Sequence, residues 1–253
     1  MSDSVYEQEV AVKKMIQRRL KGSMSPHDNV LYFPNNVDVR LCPKNGITTL
    51  KWCLFDSEGF EVDDFKQYAK ICGTALHRRQ QIKEYGYPME FPFRRGSKRI
   101  AIVRDPIERF MSAAEYLKVQ WEQHKDMLEA EEIQEGWQKL SDIDLIPDTI
   151  DEVIDSVSDG TIYNSHFFSQ AYYLGNRAQY DEIYKFSEFG KFLDYLHVEV
   201  ESLKPLNRVH ENKTSGKYFG PASDLTEEQQ DRIIKIFKQD YEYGWTEKNA
   251  RSL

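Results

Sequence analysis

The chain has 253 residues, with 34 basic and 42 acidic side chains for a net charge of −8, and is 40% hydrophobic and 13% aromatic. That balance excludes collagenous, low-complexity and largely disordered chains, and the length is enough for one domain with a substantial core. No segment approaches ~20 consecutive apolar residues, and residues 1–20 carry charges where a signal peptide has its apolar centre, so a cytoplasmic protein without a transmembrane segment is expected.

Three cysteines, Cys42, Cys53 and Cys72, are odd in number and lack close metal-ligand spacing. Neither a disulfide scaffold nor a structural zinc site is favoured, and no metal site is expected. Net acidity disfavours general nucleic-acid binding, while leaving room for a local basic pocket that receives an anion.

In chain order, residues 6–21 read as a short helix ending at Gly22, followed by a turn over 23–29. Residues 37–41 read as a strand, the Asn45-Gly46 pair as a turn, and 47–55 as a helix with apolar positions at Ile47, Leu50, Cys53 and Leu54. Residues 61–84 have mostly helical character, whereas the aromatic, proline-containing stretch 85–93 cannot sustain a regular helix and reads as a loop wall. The apolar run 99–103 is the clearest buried strand. Asp105-Pro106 then opens a helix whose inner face carries Phe110, Ala113, Ala114 and Leu117.

Residues 120–160 are acidic and helical in character, broken near 146–149, and suit a lid or peripheral bundle. A further strand is expected at 182–186 and a helix starting near Ser187. The polar stretch 206–224 reads as a long loop, and a last helix spans about 226–241 with a capping box from Thr226 to Gln229. Strands alternating with helices predict an α/β fold, a three-layer sandwich around a mostly parallel sheet, and the wide strand spacing predicts crossovers rather than hairpins.

Two segments carry chemistry. In Cys42-Pro43-Lys44-Asn45-Gly46-Ile47-Thr48-Thr49, a tight turn between strand and helix presents backbone amides, Lys44 adds a mobile charge, and Thr48 and Thr49 add hydroxyls. That set suits a phosphate or sulfate; the alternative is an ordinary strand-helix turn with a surface lysine. The triphosphatase pattern GxxxxGK[ST] is absent, because Lys44 precedes the turn's glycine. In the second segment Arg104 leaves the 99–103 strand, Arg109 sits one turn into the helix, and Ser112 lies three residues further. Arginine's fork and a serine hydroxyl suit an oxyanion; the alternative is Arg104 or Arg109 paired with Asp105, Glu108 or Glu115.

Together the two segments resemble the sulfotransferase superfamily, and more closely its carbohydrate sulfotransferase branch. The stretches 166–174, 180–189 and 210–216, and the final 225–244, resemble the corresponding downstream blocks, so the resemblance covers about 37–245. It departs at Asn45, Gly46 and Ile47, where the family usually has small residues. The resemblance implies a single sulfotransferase-like domain over 1–253, of P-loop type, with helical lid insertions and a possible acceptor-binding subregion at 120–175. It also implies 3'-phosphoadenosine-5'-phosphosulfate (PAPS) as donor, 3'-phosphoadenosine-5'-phosphate (PAP) as product, and a hydroxyl on a carbohydrate or related small molecule as acceptor. Pro43, Lys44, Asn45, Gly46, Ile47, Thr48 and Thr49 would surround the 5' end of the donor, and Arg104 and Ser112 would grip its 3'-phosphate.

Within that reading Lys44 stabilises the leaving oxygen. His77 fits the position of the family's base, with His166 as a second candidate for that role or for orienting the acceptor. Lys213, Thr214 and Ser215 belong to a loop that would close over the donor. A nucleotide-dependent kinase, or a noncatalytic nucleotide-binding or protein-interaction module, are the alternatives.

Overall fold

The computed structural model describes residues 30–50, 53, 93, 96–128, 146–162, 164–200 and 216–252. The helices expected at 6–21 and 61–84, most of the loop wall at 85–93, His77, and Lys213 to Ser215 lie outside the described residues.

Four strands form one sheet in the order β1 (Val30–Phe33), β2 (Val37–Arg40), β3 (Lys98–Val103) and β4 (Glu182–Lys185). The β2–β3 and β3–β4 pairings are parallel, with Val39 opposite Ile100 and Ile102 opposite Tyr184, whereas β1 runs antiparallel to β2. The sheet is therefore mixed. β1 and its hairpin correct the expectation of crossovers alone. The turn over 34–36 reverses the chain because Asn35 and Asn36 both adopt positive φ, at 55° and 59°. Asparagine tolerates that region better than other side chains, and two successive positive φ values match the twist of a tight hairpin.

Period-two alternation in β3 sends neighbouring side chains to opposite faces. Ile100 and Ile102 join Val39, Leu41 and Tyr184 against Phe192 and Leu196, which belong to the helix Phe189–Glu199. Ala101 and Val103 face Cys42, Tyr173, Leu174 and Trp245 instead. Both faces of β3 are thus covered, which is why it reads as an unbroken apolar run.

We number the longer helices α1 (Pro106–Leu128), α2 (Ile150–Ser158), α3 (Gln170–Leu174), α4 (Phe189–Glu199), α5 (Glu227–Ile236) and α6 (Lys238–Glu242). A further helix starts at residue 47. At the start of α1, Asp105 Oδ1 accepts from the amides of Ile107 (2.9 Å) and Glu108 (3.1 Å), and Pro106 fills the first position, where no amide is needed. A second core joins Phe110, Ala113, Ala114 and Leu117 of α1 to Val153 and Ile154 of α2 and to Ile233 of α5. Both α2 and α5 open with capping boxes, Thr149 with Glu152 and Thr226 with Gln229.

Two boundaries differ from expectation. The last helix is interrupted at Phe237, whose fully buried ring packs edge-on to Phe110 and ends α5 before α6 begins. After β4 the chain makes a 3₁₀ turn, Phe186–Glu188, so α4 starts at Phe189 rather than near Ser187. Among the described residues no helix is long and apolar enough to cross a membrane.

Candidate functional site

The loop 42–46 is held in place by buried hydrogen bonds, and its conformation depends on two left-handed residues. Lys44 has φ 70° and Gly46 has φ 82°. Between them, the Asn45 side chain is 2% exposed and donates through Nδ2 to the Ile102 carbonyl (2.8 Å) and to Gln170 Oε1 (2.7 Å). Gln170 is itself fully buried. Its Oε1 accepts the Arg104 amide at 3.0 Å, and its Nε2 donates to the carbonyls of Arg104 and Trp245, both at 2.9 Å. One glutamine thereby fixes the loop after β2 to the end of β3. No chemical signature in the sequence singles Gln170 out, since its partners lie 66 to 125 positions away.

Gly46 is required for a second reason. A Cβ on it would stand 2.5 Å from Cζ of Phe189, the first residue of α4. Gly46→Ala combines a strained φ with a clash against a packed ring, and is expected to cost about 2–3 kcal/mol of stability in urea unfolding. A change below 0.5 kcal/mol would show that the loop has another low-energy shape.

Arg104 and Lys44 come together at the carboxyl ends of the parallel strands. Arg104 donates from Nη1 to the Lys44 carbonyl at 3.1 Å, stacks over Phe186 at 4.7 Å, and makes a long ion pair with the partly exposed Glu108 at 3.6 Å. Burial, with the neighbouring Arg104 charge, lowers the Lys44 pKa to about 7. Its Nζ lies 3.8 Å above the centroid of the Tyr116 ring. No carboxylate of the described residues is paired with it.

His166 lies on the other contact of Tyr116, ring to ring at 4.9 Å. Its Nδ1 is 2.7 Å from Asn164 Oδ1; a carbonyl oxygen only accepts, so Nδ1 carries the proton and Nε2 is left as the acceptor. Burial first, then the charges of Lys44 and Arg109, push the His166 pKa down to about 3, so the imidazole is neutral at physiological pH.

Arg109 takes a different place from Arg104. It is fully buried, donates to the carbonyls of His166 (3.1 Å) and Phe168, and lies over the Phe237 ring at 4.7 Å. It fixes the segment that carries His166. None of the carboxylates expected as alternatives holds it: Glu108 turns to Arg104, and Glu115 accepts the amides of Lys217 (2.7 Å), Tyr218 and Phe219. Glu115 thereby ties the end of the 206–224 loop to α1.

Ser112 is 8% exposed on α1. It lies midway along the row Glu108, Ser112, Tyr116, spaced by four residues, whose ends touch Arg104 and Lys44. Pro43, Ile47, Thr48 and Thr49 are half-buried around the turn and the helix start. The structure therefore brings together Lys44, Arg104, His166 and the 43–49 loop, with Ser112 placed on α1 between Glu108 and Tyr116. Tyr116, Phe186, Asn164 and Gln170 join them; Gln170 and Phe186 lie in the family-like stretches 166–174 and 180–189, but no pattern there assigns either a role.

Among the described residues the site concentrates positive charge: two desolvated cations and the first turn of a helix, whose amides have no partner within the helix, face the exposed Glu108 in ion-pair contact and Glu247 at longer range. Such a donor set fits a multiply charged anion such as a phosphate or sulfate ester. A comparison with protein families matches residues 35–243 to the sulfotransferase family. No curated protein and no solved structure gave a significant match.

Proposed function

The chain belongs to the sulfotransferase family, and from that premise we propose that it moves a sulfuryl group from PAPS to a hydroxyl of a carbohydrate or related small molecule. The observation that carries this reading is the juxtaposition of Lys44 and Arg104, two cations in a half-buried site where, among the described residues, Glu108 is the one carboxylate in ion-pair contact and Glu247 acts on Arg104 from further away. On this reading the sheet and its flanking helices form a three-layer, P-loop-like core within a single domain, and the 120–175 region contributes to the acceptor side.

When bound, PAPS supplies the sulfuryl group and leaves as PAP once the acceptor oxygen has bonded to sulfur and the bridging sulfur–oxygen bond has broken. Lys44 neutralises the charge that develops on the oxygen of the 5'-phosphate, a role for which a desolvated ammonium is strong. The amides at the start of the helix at residue 47, with the Thr48 and Thr49 hydroxyls, hold that 5'-phosphate, while Arg104 and Ser112 hold the 3'-phosphate. His166, neutral with Nε2 available, suits a hydrogen bond that orients the acceptor hydroxyl. A pKa near 3 matches proton abstraction at neutral pH poorly, which leaves the base role with His77. Lys213, Thr214 and Ser215 close the donor site in this reading.

A transfer screen with PAPS labelled in its sulfate, run over hydroxyl-bearing saccharides and small alcohols with γ-labelled ATP in parallel, tests the assignment. Sulfate transfer to at least one acceptor supports it. Phosphate transfer from ATP alone would replace it with a kinase, and binding without any transfer would replace it with a noncatalytic module. Arg104→Met should weaken PAP binding about 10- to 100-fold and adenosine 5'-phosphate binding much less, because the 3'-phosphate contact is lost outright while the 5' loop loses only the bond to the Lys44 carbonyl. Isothermal calorimetry with both ligands checks this, and equal losses for the two would remove Arg104 from the 3' site.

A further inference from the structure

We propose that Tyr116 is a positioning residue of the transfer site, its ring holding the Lys44 ammonium and the His166 imidazole in one stack. This deepens the reading given above and rests on it only for its catalytic consequence. Tyr116 projects from α1, one turn beyond Ser112, and touches both groups: Lys44 Nζ at 3.8 Å from the ring centroid, and the His166 ring at 4.9 Å with planes inclined by 39°.

The ring meets a need that the site creates. Lys44 is flanked by Arg104 at the end of β3 and by the segment bearing His166, behind which Arg109 is buried, and among the described residues none of these neighbours offers negative charge. A buried ammonium in that setting keeps its proton only with some favourable contact. The electron-rich face of an aromatic ring supplies one without adding a charge that would repel an incoming phosphate. A carboxylate at this place would hold Lys44 more firmly but would compete with the ligand for it. Burial raises the Tyr116 pKa, so the phenol stays neutral and preserves this distinction.

The second contact links the two functions. With Nδ1 fixed by Asn164, the orientation of the imidazole about that bond is set by what its face meets, and that face meets Tyr116. One ring therefore sets the spacing between the cation that faces the leaving group and the imidazole that faces the acceptor. Positioning of this kind matters because displacements of about 1 Å at a reacting centre cost orders of magnitude in rate.

The test uses the full chain labelled with ¹³C in lysine and histidine, titrated by NMR without donor or acceptor, so its outcome does not depend on which reaction the site performs. The Lys44 signal is assigned by its loss in Lys44→Met. Wild type and Tyr116→Phe, which keeps the ring, should show the same Lys44 midpoint. Tyr116→Leu should lower that midpoint by about half a pH unit or more, since a cation–π contact of ordinary strength is removed. The His166 Cε1 resonance should move in Tyr116→Leu and hold in Tyr116→Phe. Tyr116→Met replaces the leucine variant if circular dichroism shows the latter unfolded. An unchanged or raised Lys44 midpoint in the ring-less variant, or a shift of equal size in Tyr116→Phe, overturns the proposal.

Discussion

Lys44→Met should reduce sulfate transfer by about 10²- to 10³-fold at saturating donor, the loss seen when one preorganised donor to a developing oxyanion is removed. Methionine keeps much of the side-chain volume over Tyr116, so the fold should survive and the loss should fall mainly on kcat. Steady-state turnover with labelled PAPS measures it, and a loss below fivefold would remove Lys44 from the leaving-group role. The same lysine predicts a pH dependence. In the free protein it loses its proton near pH 7, whereas a bound 5'-phosphate favours the charged form and raises that pKa. Binding is therefore accompanied by proton uptake, and affinity falls as pH rises above 7, by up to tenfold per unit until the pKa of the complex is reached. Lys44→Met should flatten that slope.

Arg109→Met should act on stability instead, by about 3 kcal/mol or more. It removes two charge-assisted hydrogen bonds and leaves the carbonyls of His166 and Phe168 buried without their donor. Urea unfolding followed by circular dichroism reads the change, and Arg104→Met in the same experiment should lose clearly less, about 1 kcal/mol, because a single carbonyl, that of Lys44, loses its donor. Equal losses for the two arginines would contradict the division of labour drawn here between a structural and a ligand-facing guanidinium.

That division was partly legible in the sequence. Arg109, Ala113 and Leu117 follow one another at four-residue spacing, and the last two belong to the apolar stripe of α1, so helical phase already turns Arg109 inward. Glu108, Ser112 and Tyr116 form the neighbouring row. Which row meets the 43–49 loop is a tertiary fact, set by the packing of α1 on α2 and α5. Tyr116 accordingly carried no signal beyond being an aromatic residue on a helix.

The parallel strands were legible because β3, buried on both faces, reads as a continuous apolar run, and the opening of α1 because Asp105 and Pro106 have distinct chemical roles there. β1 was not legible. It is four residues long, and its pairing depends on a turn whose Asn35 and Asn36 suit several turn types alike. The role of Gln170, inside the family-like stretch 166–174, was hidden for a related reason. A glutamine that bonds Asn45, Arg104 and Trp245 leaves no local pattern, since each bond spans more than sixty residues. What the sequence did convey about the site was its charged chemistry: Lys44 in a strand-to-helix turn, and Arg104 at a strand end. What it lacked was the set of contacts through which the neutral Asn45, Gln170 and Tyr116 set where those charges stand.

The measurement that bears most directly on the account is a calorimetric comparison of PAP, adenosine 5'-phosphate and ATP binding to the wild-type protein at one salt concentration. A clear preference for PAP is expected, by about tenfold or more over either competitor, because the two cationic positions recognise separate 3' and 5' phosphates. Equal affinity for all three, or tighter binding of ATP by the folded protein, would contradict it.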